Sequence, residues 1–299
     1  MSDSDEGNVT MTGEELLAGQ FETHRSRLRA MAYRMLGSHA EADDAVQEAW
    51  LRLTKSGAAV ENLGGWLTTV IARVSVDMLR SRNARREDPL DVLVPDMLVT
   101  LDEADGPEAD ALHADAVSLA LLVVLGSLTP AERLAFVLHD MFDLPFDEIA
   151  SIAGRSAAAV RQQASRARRR VRGHAPVPDP DLNHQRQVVK AFFAAARDGD
   201  FGTLISLLDP HAVARSDDGT GPRLLRGPAA IARQALMFAN PAAQVRPALV
   251  NGAAGVIVTI GQTPVSVMSF TVTRGKIAEI NSISNPARLQ CLNLDIPQP

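Results

Sequence analysis

The apolar residues of this chain change their period once, and that change bounds the folds open to it. Through residues 20–172 they recur at helical spacing, whereas from residue 244 onward they follow a strand pattern. Helices first and an antiparallel sheet afterwards predict a multidomain protein, with two all-α domains followed by an α+β domain. Proline clusters cut the chain at matching places. Pro89, Pro95 and Pro107 punctuate one acid-rich stretch, and Pro176, Pro178 and Pro180 a second, shorter one. The expected organisation is a helical bundle over 14–86, a linker over 87–110, a helical domain over 111–174, a linker over 175–183, and the α+β domain over 184–299.

Local signals fill in these parts. Phe21, Leu28, Ala32 and Met35 share a helix face, and Gly37 is placed to cap it. Ser38, with Glu41 three residues on, predicts a capping box ahead of a helix striped by Val46, Ala49, Trp50 and Leu53. After a turn around 55–65, a third amphipathic helix should run from Trp66 to about Arg82. In the second domain Thr129-Pro130-Ala131-Glu132 joins an N-cap, a first-turn proline and a capping-box glutamate. A short helix over 147–153 ends at Gly154. Ser156 then caps a helix carrying Val160, Ala164, Ala167 and Val171 on one face, which is a helix-turn-helix pattern. Beyond the second linker, helices are expected over 188–196, 201–208 and 228–238. Strands are expected over 245–250, 255–260, 265–273 and 277–283, with turns at Asn251-Gly252 and Arg274-Gly275-Lys276.

The single cysteine, Cys291, excludes an internal disulfide and any cysteine cluster for zinc or iron–sulfur, so neither metal nor cofactor is expected. The first residues are polar and acidic, and the longest apolar stretch, 116–125, is too short to span a bilayer. A cytoplasmic protein with no membrane partner is expected. The net charge of −6 argues against a nucleic-acid partner only if charge is spread evenly, and it is sorted instead. Seven arginines and no acid lie between residues 155 and 172, a second basic run covers 73–86, and acids gather at 43–48 and 96–115. Such sorting offers different faces to different partners.

On the second helix of the helix-turn-helix, Val160, Ala164 and Ala167 should face inward. Ala157, Ala158, Arg161, Gln162 and Ser165 then lie on the open side, beyond the cap Ser156. Arginine or glutamine near the start of such a helix can bond base edges in bidentate fashion. Arg166, Arg168, Arg169 and Arg170 suit phosphates, which position a protein without specifying sequence. The plainer alternative is a helical hairpin with a solvated arginine face.

Three strings then converge. Residues 42–53, ADDAVQEAWLRL, resemble the core-polymerase-binding segment of extracytoplasmic-function sigma factors. Trp66-Leu67-Thr68-Thr69-Val70-Ile71-Ala72-Arg73, with Asp77, Leu79, Arg80 and Ser81, resembles their promoter-melting helix. Leu128-Thr129-Pro130-Ala131-Glu132-Arg133, with Phe146-Asp147-Glu148-Ile149-Ala150 and Ser165-Arg166-Ala167-Arg168, resembles the domain that reads the upstream promoter element. The resemblance runs through residues 20–172. It implies that Asp43, Asp44, Gln47 and Glu48 dock on a basic coiled coil of the polymerase's largest subunit, where charge complementarity would steer the encounter. A merely solvated acidic face is the other reading. Partners implied are the RNA polymerase core, including its flap region, and promoter DNA. Arg73, Arg80, Arg82, Arg85 and Arg86 would contact promoter phosphates, and the loop over 60–65 would receive an extruded base. Trp66 is expected in the core, with base stacking as the alternative.

From about His184 the chain resembles SnoaL-like domains, a cone-shaped α+β fold with a curved sheet around a cavity. The whole arrangement is similar to J-type sigma factors, which fuse such a domain to the promoter-binding part. Their Asp-Gly-Gly-Gly stretch is matched by Asp218-Gly219-Thr220-Gly221, and their Asn-Pro-Asp-Lys-Leu stretch by Asn285-Pro286-Ala287-Arg288-Leu289. Val94-Pro95-Asp96-Met97 stands opposite a Leu-Pro-Glu-Pro signature. The resemblance implies regulatory contacts at Asp218, Gly219, Gly221, Asn285, Pro286 and Arg288. His211, Arg215, Asp217 and Asp218 lie near one another and could form an acid–base set. Because few titratable groups lie on the strands, an emptied fold reused for binding is expected, with room for a small ligand and no catalysis.

Overall fold

The computed structural model describes residues 13–56, 61–84, 94–101, 117–292 and 294. Three helices open the chain: α1 (Gly13–Leu36), α2 (His39–Ser56) and α3 (Leu63–Ala84). Gly37 ends α1 in the left-handed region at φ 78°, with its N–H donated to the Tyr33 carbonyl at 2.7 Å. Only one arm of the expected capping box forms. The Glu41 N–H reaches Ser38 Oγ, while the Glu41 carboxylate turns to Arg82 on α3, a stronger partner than a backbone N–H. Asn62 caps α3 through the Gly65 N–H at 2.9 Å, so the helix starts three residues before Trp66. Trp66 is half-buried against the core, as one of its two readings required.

The next helices are α4 (Leu119–Gly126), α5 (Pro130–Phe136), α6 (Phe146–Ala153) and α7 (Ala157–His174). Helix α4 is buried almost all round, which suits a segment carrying no polar side chain. Both arms of the Thr129/Glu132 capping box are made, and a π-helical turn at Val137–Met141 follows α5. Gly154 makes the sharp turn at φ 63°, and Ser156 caps α7, burying Val160, Ala164 and Ala167.

The C-terminal part comprises α8 (Leu182–Asp198), α9 (Phe201–Leu207), β2 (Leu208–Asp217), β3 (Pro222–Arg226), α10 (Pro228–Met237), β4 (Ala243–Val250), β5 (Ala253–Ile260), β6 (Thr263–Thr273), β7 (Lys276–Ile283) and α11 (Pro286–Gln290). The sheet order is β1-β4-β5-β6-β7-β2-β3, where β1 is Val99–Leu101. Strands β2 and β3 and helix α11 were not expected from the sequence, and two features of the sheet's pairing depart from its reading. The sheet is mixed, because β2 returns beside β7 in parallel after the helical pair α8–α9. Strand β1 comes from the stretch read as a linker. Its short β-branched run satisfies the open edge of β4, pairing Val99 with Val250.

Both faces of the sheet are buried. On the concave face Val256, Phe270 and Ile280 form one core with Phe192 of α8 and Ile231 of α10. On the outer face Val250, Ile257, Val267 and Ile283 join the core of the N-terminal helices. This explains the near-continuous apolar run of β5, which serves two cores at once. At Gly255 the strands come too close for any side chain: a Cβ would stand 2.7 Å from the Met268 carbonyl oxygen and 2.4 Å from Val250.

Candidate nucleic-acid interface and an interdomain clasp

Helix α2 buries Ala42, Ala45, Val46, Ala49 and Leu53, and that stripe turns its acids outward. Asp43, Asp44 and Gln47 are exposed and Glu48 half-buried. Two of the four already carry partners. Asp43 accepts from Arg29 at 2.6 Å, and Glu48 accepts from Arg52 at 2.8 Å. Both pairs are exposed, so each is worth little and can exchange for another cation.

The basic residues of α3 fall into three situations. Arg80 is exposed, with only a 3.6 Å contact to Asp77. Arg73 donates to the Ile152 and Ser151 carbonyls at the C-terminus of α6, at 3.2 and 3.4 Å. Those are carbonyls left unpaired by the helix end, which a cation satisfies well. Arg82 is drawn inward to Glu41 and the Leu36 carbonyl, its side chain only 12% exposed, so here it binds protein where a phosphate was expected. Arg85, Arg86 and part of the 60–65 loop lie outside the described residues.

On α7 the open side holds Ser156, Ala158, Arg161, Gln162, Ser165, Arg166 and Arg169, all exposed, with Ala157 half-buried. Arg161 rests over the Phe146 ring at 5.5 Å, which pre-orients its guanidinium. Arg168 is committed to Asp140 at 2.6 Å, and Arg170 reaches the Ser127 carbonyl at 3.2 Å. Of the four arginines expected on phosphates, Arg168 and Arg170 are thus engaged within the chain in this conformation.

The two helical parts are docked on each other, with α3 against α5 and α6. Arg133, 2% exposed, donates from α5 to the Arg34 carbonyl at the end of α1. Burial lowers its pKa to about 9, with Arg82 adding repulsion and Glu41 opposing it.

A second junction ties both helical parts to the sheet domain. Asp96 is its pivot. The Asp96 N–H donates to the Gly37 carbonyl, its carbonyl accepts from Tyr33 Oη at 2.6 Å, and Oδ2 accepts from the His39 N–H. Its Oδ1 accepts from Arg288 at 2.7 Å. Arg288 also donates to Asp217 Oδ2 at 2.9 Å and to the Val94 carbonyl at 2.9 Å. Against the raising effect of partial burial, Arg288 and the Gly219 N–H hold the Asp217 carboxyl below the usual range. Beside this clasp sits Asn251, 4% exposed and left-handed at φ 51°. Its backbone and side chain bracket Leu98, and its amide nitrogen donates to the Val117 carbonyl and to Tyr33 Oη.

The expected regulatory residues divide accordingly. Arg288 is the bridging group. Asn285 caps α11 through the Ala287 N–H, Pro286 starts that helix, and Gly219 and Gly221 turn the chain at positive φ. Asp218 binds Thr220 and Arg223 instead, and the carboxylate facing Arg288 belongs to Asp217. The sequence reading took Asn251 as a turn residue only. Its Asn-Gly signal described the turn accurately, and nothing local announced the long-range amide bonds.

The acid–base set does not assemble. Asp217 is held by Arg288, Arg215 pairs with Glu279 at 3.4 Å, and His211 is exposed. A cavity of about 500 Å³ lies between the concave sheet face and α8 and α10, and His211 and Glu279 are not among its lining residues.

Comparisons with known proteins agree with this architecture. A family model described as Sigma-70 region 2 matches residues 20–85, and one described as Sigma-70, region 4 matches residues 118–171. The ECF RNA polymerase sigma factor SigJ of Mycobacterium tuberculosis is 37% identical over 285 residues, covering 89% of this chain and 91% of the relative. A probable ECF RNA polymerase sigma factor, SigI, of the same species is 31% identical over 301 residues, covering 96% and 99%. The crystal structure of the M. tuberculosis extracytoplasmic function sigma factor SigJ superposes with a TM-score of 0.71 at 34% identity, covering 93% of this chain and 100% of that one. Among the described residues no helix is long and apolar enough to cross a membrane.

Proposed function

The chain belongs to the extracytoplasmic-function sigma factors, so it binds RNA polymerase core and directs promoter-specific transcription initiation, and from that premise we propose that its α+β domain restrains this activity within the same chain. In this reading the α2 strip of Asp43, Asp44, Gln47 and Glu48 docks on the polymerase. Arg73 and Arg80 hold promoter phosphates, joined by Arg82 once it leaves Glu41. Arg161, Gln162 and Ser165 read base edges, while Arg166, Arg169 and a released Arg168 fix the register.

The carrying observation is the bridge made by Arg288, one side chain joining Asp217 of the sheet domain to Asp96 and Val94 of the connecting segment. That segment is bonded in turn to Tyr33, Gly37 and His39. With the clasp closed, Arg73 is spent on the carbonyls of α6 and is withheld from DNA. Opening the clasp frees the helical parts to separate. The cavity supports binding over catalysis: among the described residues its one lining carboxylate, Asp218, is held by Thr220 and Arg223.

Run-off transcription with purified polymerase core tests this. Arg288→Ala should raise transcript yield by about fivefold or more, the low end of typical coupling energies. Asp44→Arg with Glu48→Arg should abolish core binding. An unchanged yield from Arg288→Ala would remove the restraint, and retained core binding would remove the strip.

A further inference from the structure

The cavity beneath the sheet has a composition that selects its occupant. Phe192, Phe193, Ile231, Val258, Met268 and Ile280 make an apolar floor. One wall carries a band of hydroxyls, Ser216, Ser266, Ser282 and Ser284, brought together because Ser216 is in register with Ser282 and Ser284 Oγ donates to Ser266 Oγ at 3.0 Å. The charged lining residues do not offer a buried counter-charge. Arg197 is exposed, and Asp218 and Arg223 pair with each other at the rim. Arg215 contributes to the wall, but strand alternation turns its side chain to the opposite face with Glu279 and Asn281. A charged ligand would thus lose its hydration uncompensated, while carbonyl or hydroxyl oxygens would find hydroxyl partners. The volume lies within the usual range for small-molecule sites. Phe238, which lines the cavity, is 69% exposed, so this part of the lining is apolar surface open to solvent.

This cavity also touches the clasp. Ser284 lines it, and the Ser284 and Asn285 N–H groups both donate to the Asp217 carbonyl, at 2.7 and 3.0 Å. Arg288 follows one turn later on the helix that Asn285 caps. Any shift of Ser284 is therefore carried to both partners of the bridge.

We propose that the cavity takes an uncharged, largely apolar small molecule bearing carbonyl or hydroxyl oxygen, and that its occupancy is coupled to the Asp217–Arg288–Asp96 clasp through Ser284. The coupling rests on the reading of the clasp as a restraint, whereas the cavity's ligand class does not.

Fluorescence titration of the full chain with prodan, an uncharged naphthalene ketone, and with anilinonaphthalene sulfonate, an anion of similar size, tests both halves. Prodan should bind saturably and about tenfold or more tightly than the sulfonate, a difference of about 1.4 kcal/mol, because the unpaired charge would be desolvated without compensation. Ser282→Phe and Ala235→Phe, plugging the wall and the mouth separately, should each abolish prodan binding; a melt of each variant identifies the one that is folded. Arg288→Ala should shift prodan affinity by about fivefold or more, because linkage is reciprocal. Equal binding of the sulfonate, or prodan binding that survives a folded plug, overturns the ligand assignment. Unaltered prodan affinity in Arg288→Ala overturns the coupling. Transcription by Arg288→Ala separates the failures: a raised yield without a prodan site leaves the clasp standing and removes only the cavity proposal.

Discussion

At two positions a short polar residue joins distant segments through both its backbone and its side chain. Asp96 satisfies four groups on three segments, and Asn251 reaches two helical parts from a hairpin turn. Asn251 is buried and Asp96 half-buried, and any other arrangement would leave the buried groups unpaired, so these bonds favour one arrangement. His39 adds a titratable member. It stacks on Tyr33 at 4.2 Å, and burial first, then Arg29, holds its pKa below the ordinary value despite Asp96 and Asp43. A base with a depressed folded pKa binds fewer protons folded than unfolded, so its contribution is lost as pH falls from the unfolded value of about 6.5 towards the lower folded one. Thermal melts of the parent and His39→Phe, which keeps the stack without the proton, should therefore diverge on acidification. The parent should lose more stability between about pH 7.5 and pH 5.5. Parallel losses would assign the effect to other groups.

At the scale of elements, α7 shows how a packing stripe creates a reading face. Val160, Ala164 and Ala167 fill one side, so Arg161, Gln162 and Ser165 must point away from it. That much follows from helical periodicity and was legible in the sequence. The fates of Arg168 and Arg170 were not, because Asp140, Glu132 and Ser127 come from elements distant along the chain. Binding of promoter variants to the holoenzyme separates the two kinds of arginine. Arg169→Ala should weaken all sequences alike and lower the salt slope by about one. Arg161→Ala should cost about 1–3 kcal/mol on the preferred sequence and relax discrimination at its base. The same behaviour from both variants would contradict the division.

For the whole molecule, the decisive fact is that the outer sheet face and the N-terminal helices share one core. A domain that lends its sheet face to its neighbours cannot melt independently of them. Ile257, fully buried on that face, is a direct probe. Ile257→Ala should destabilise the chain by about 2–5 kcal/mol and shift a single calorimetric transition. Two separated transitions, with only one displaced, would show that the domains unfold independently.

Residues near one another in sequence determined the helices other than α11, most of their caps and turns, the helix-turn-helix, four of the strands and the exposed acidic and basic faces. These depend on period and local hydrogen bonding, which a single sequence displays. Strands β2 and β3 escaped because Pro210 and Pro222 interrupt their alternation, and β1 because three residues carry no period. The exchange of Asp218 for Asp217 in the clasp, the withdrawal of Arg82 and the long reach of Asn251 were decided by tertiary structure alone. Each is a choice among polar partners that only folding brings within hydrogen-bond distance, and burial then makes that choice exclusive.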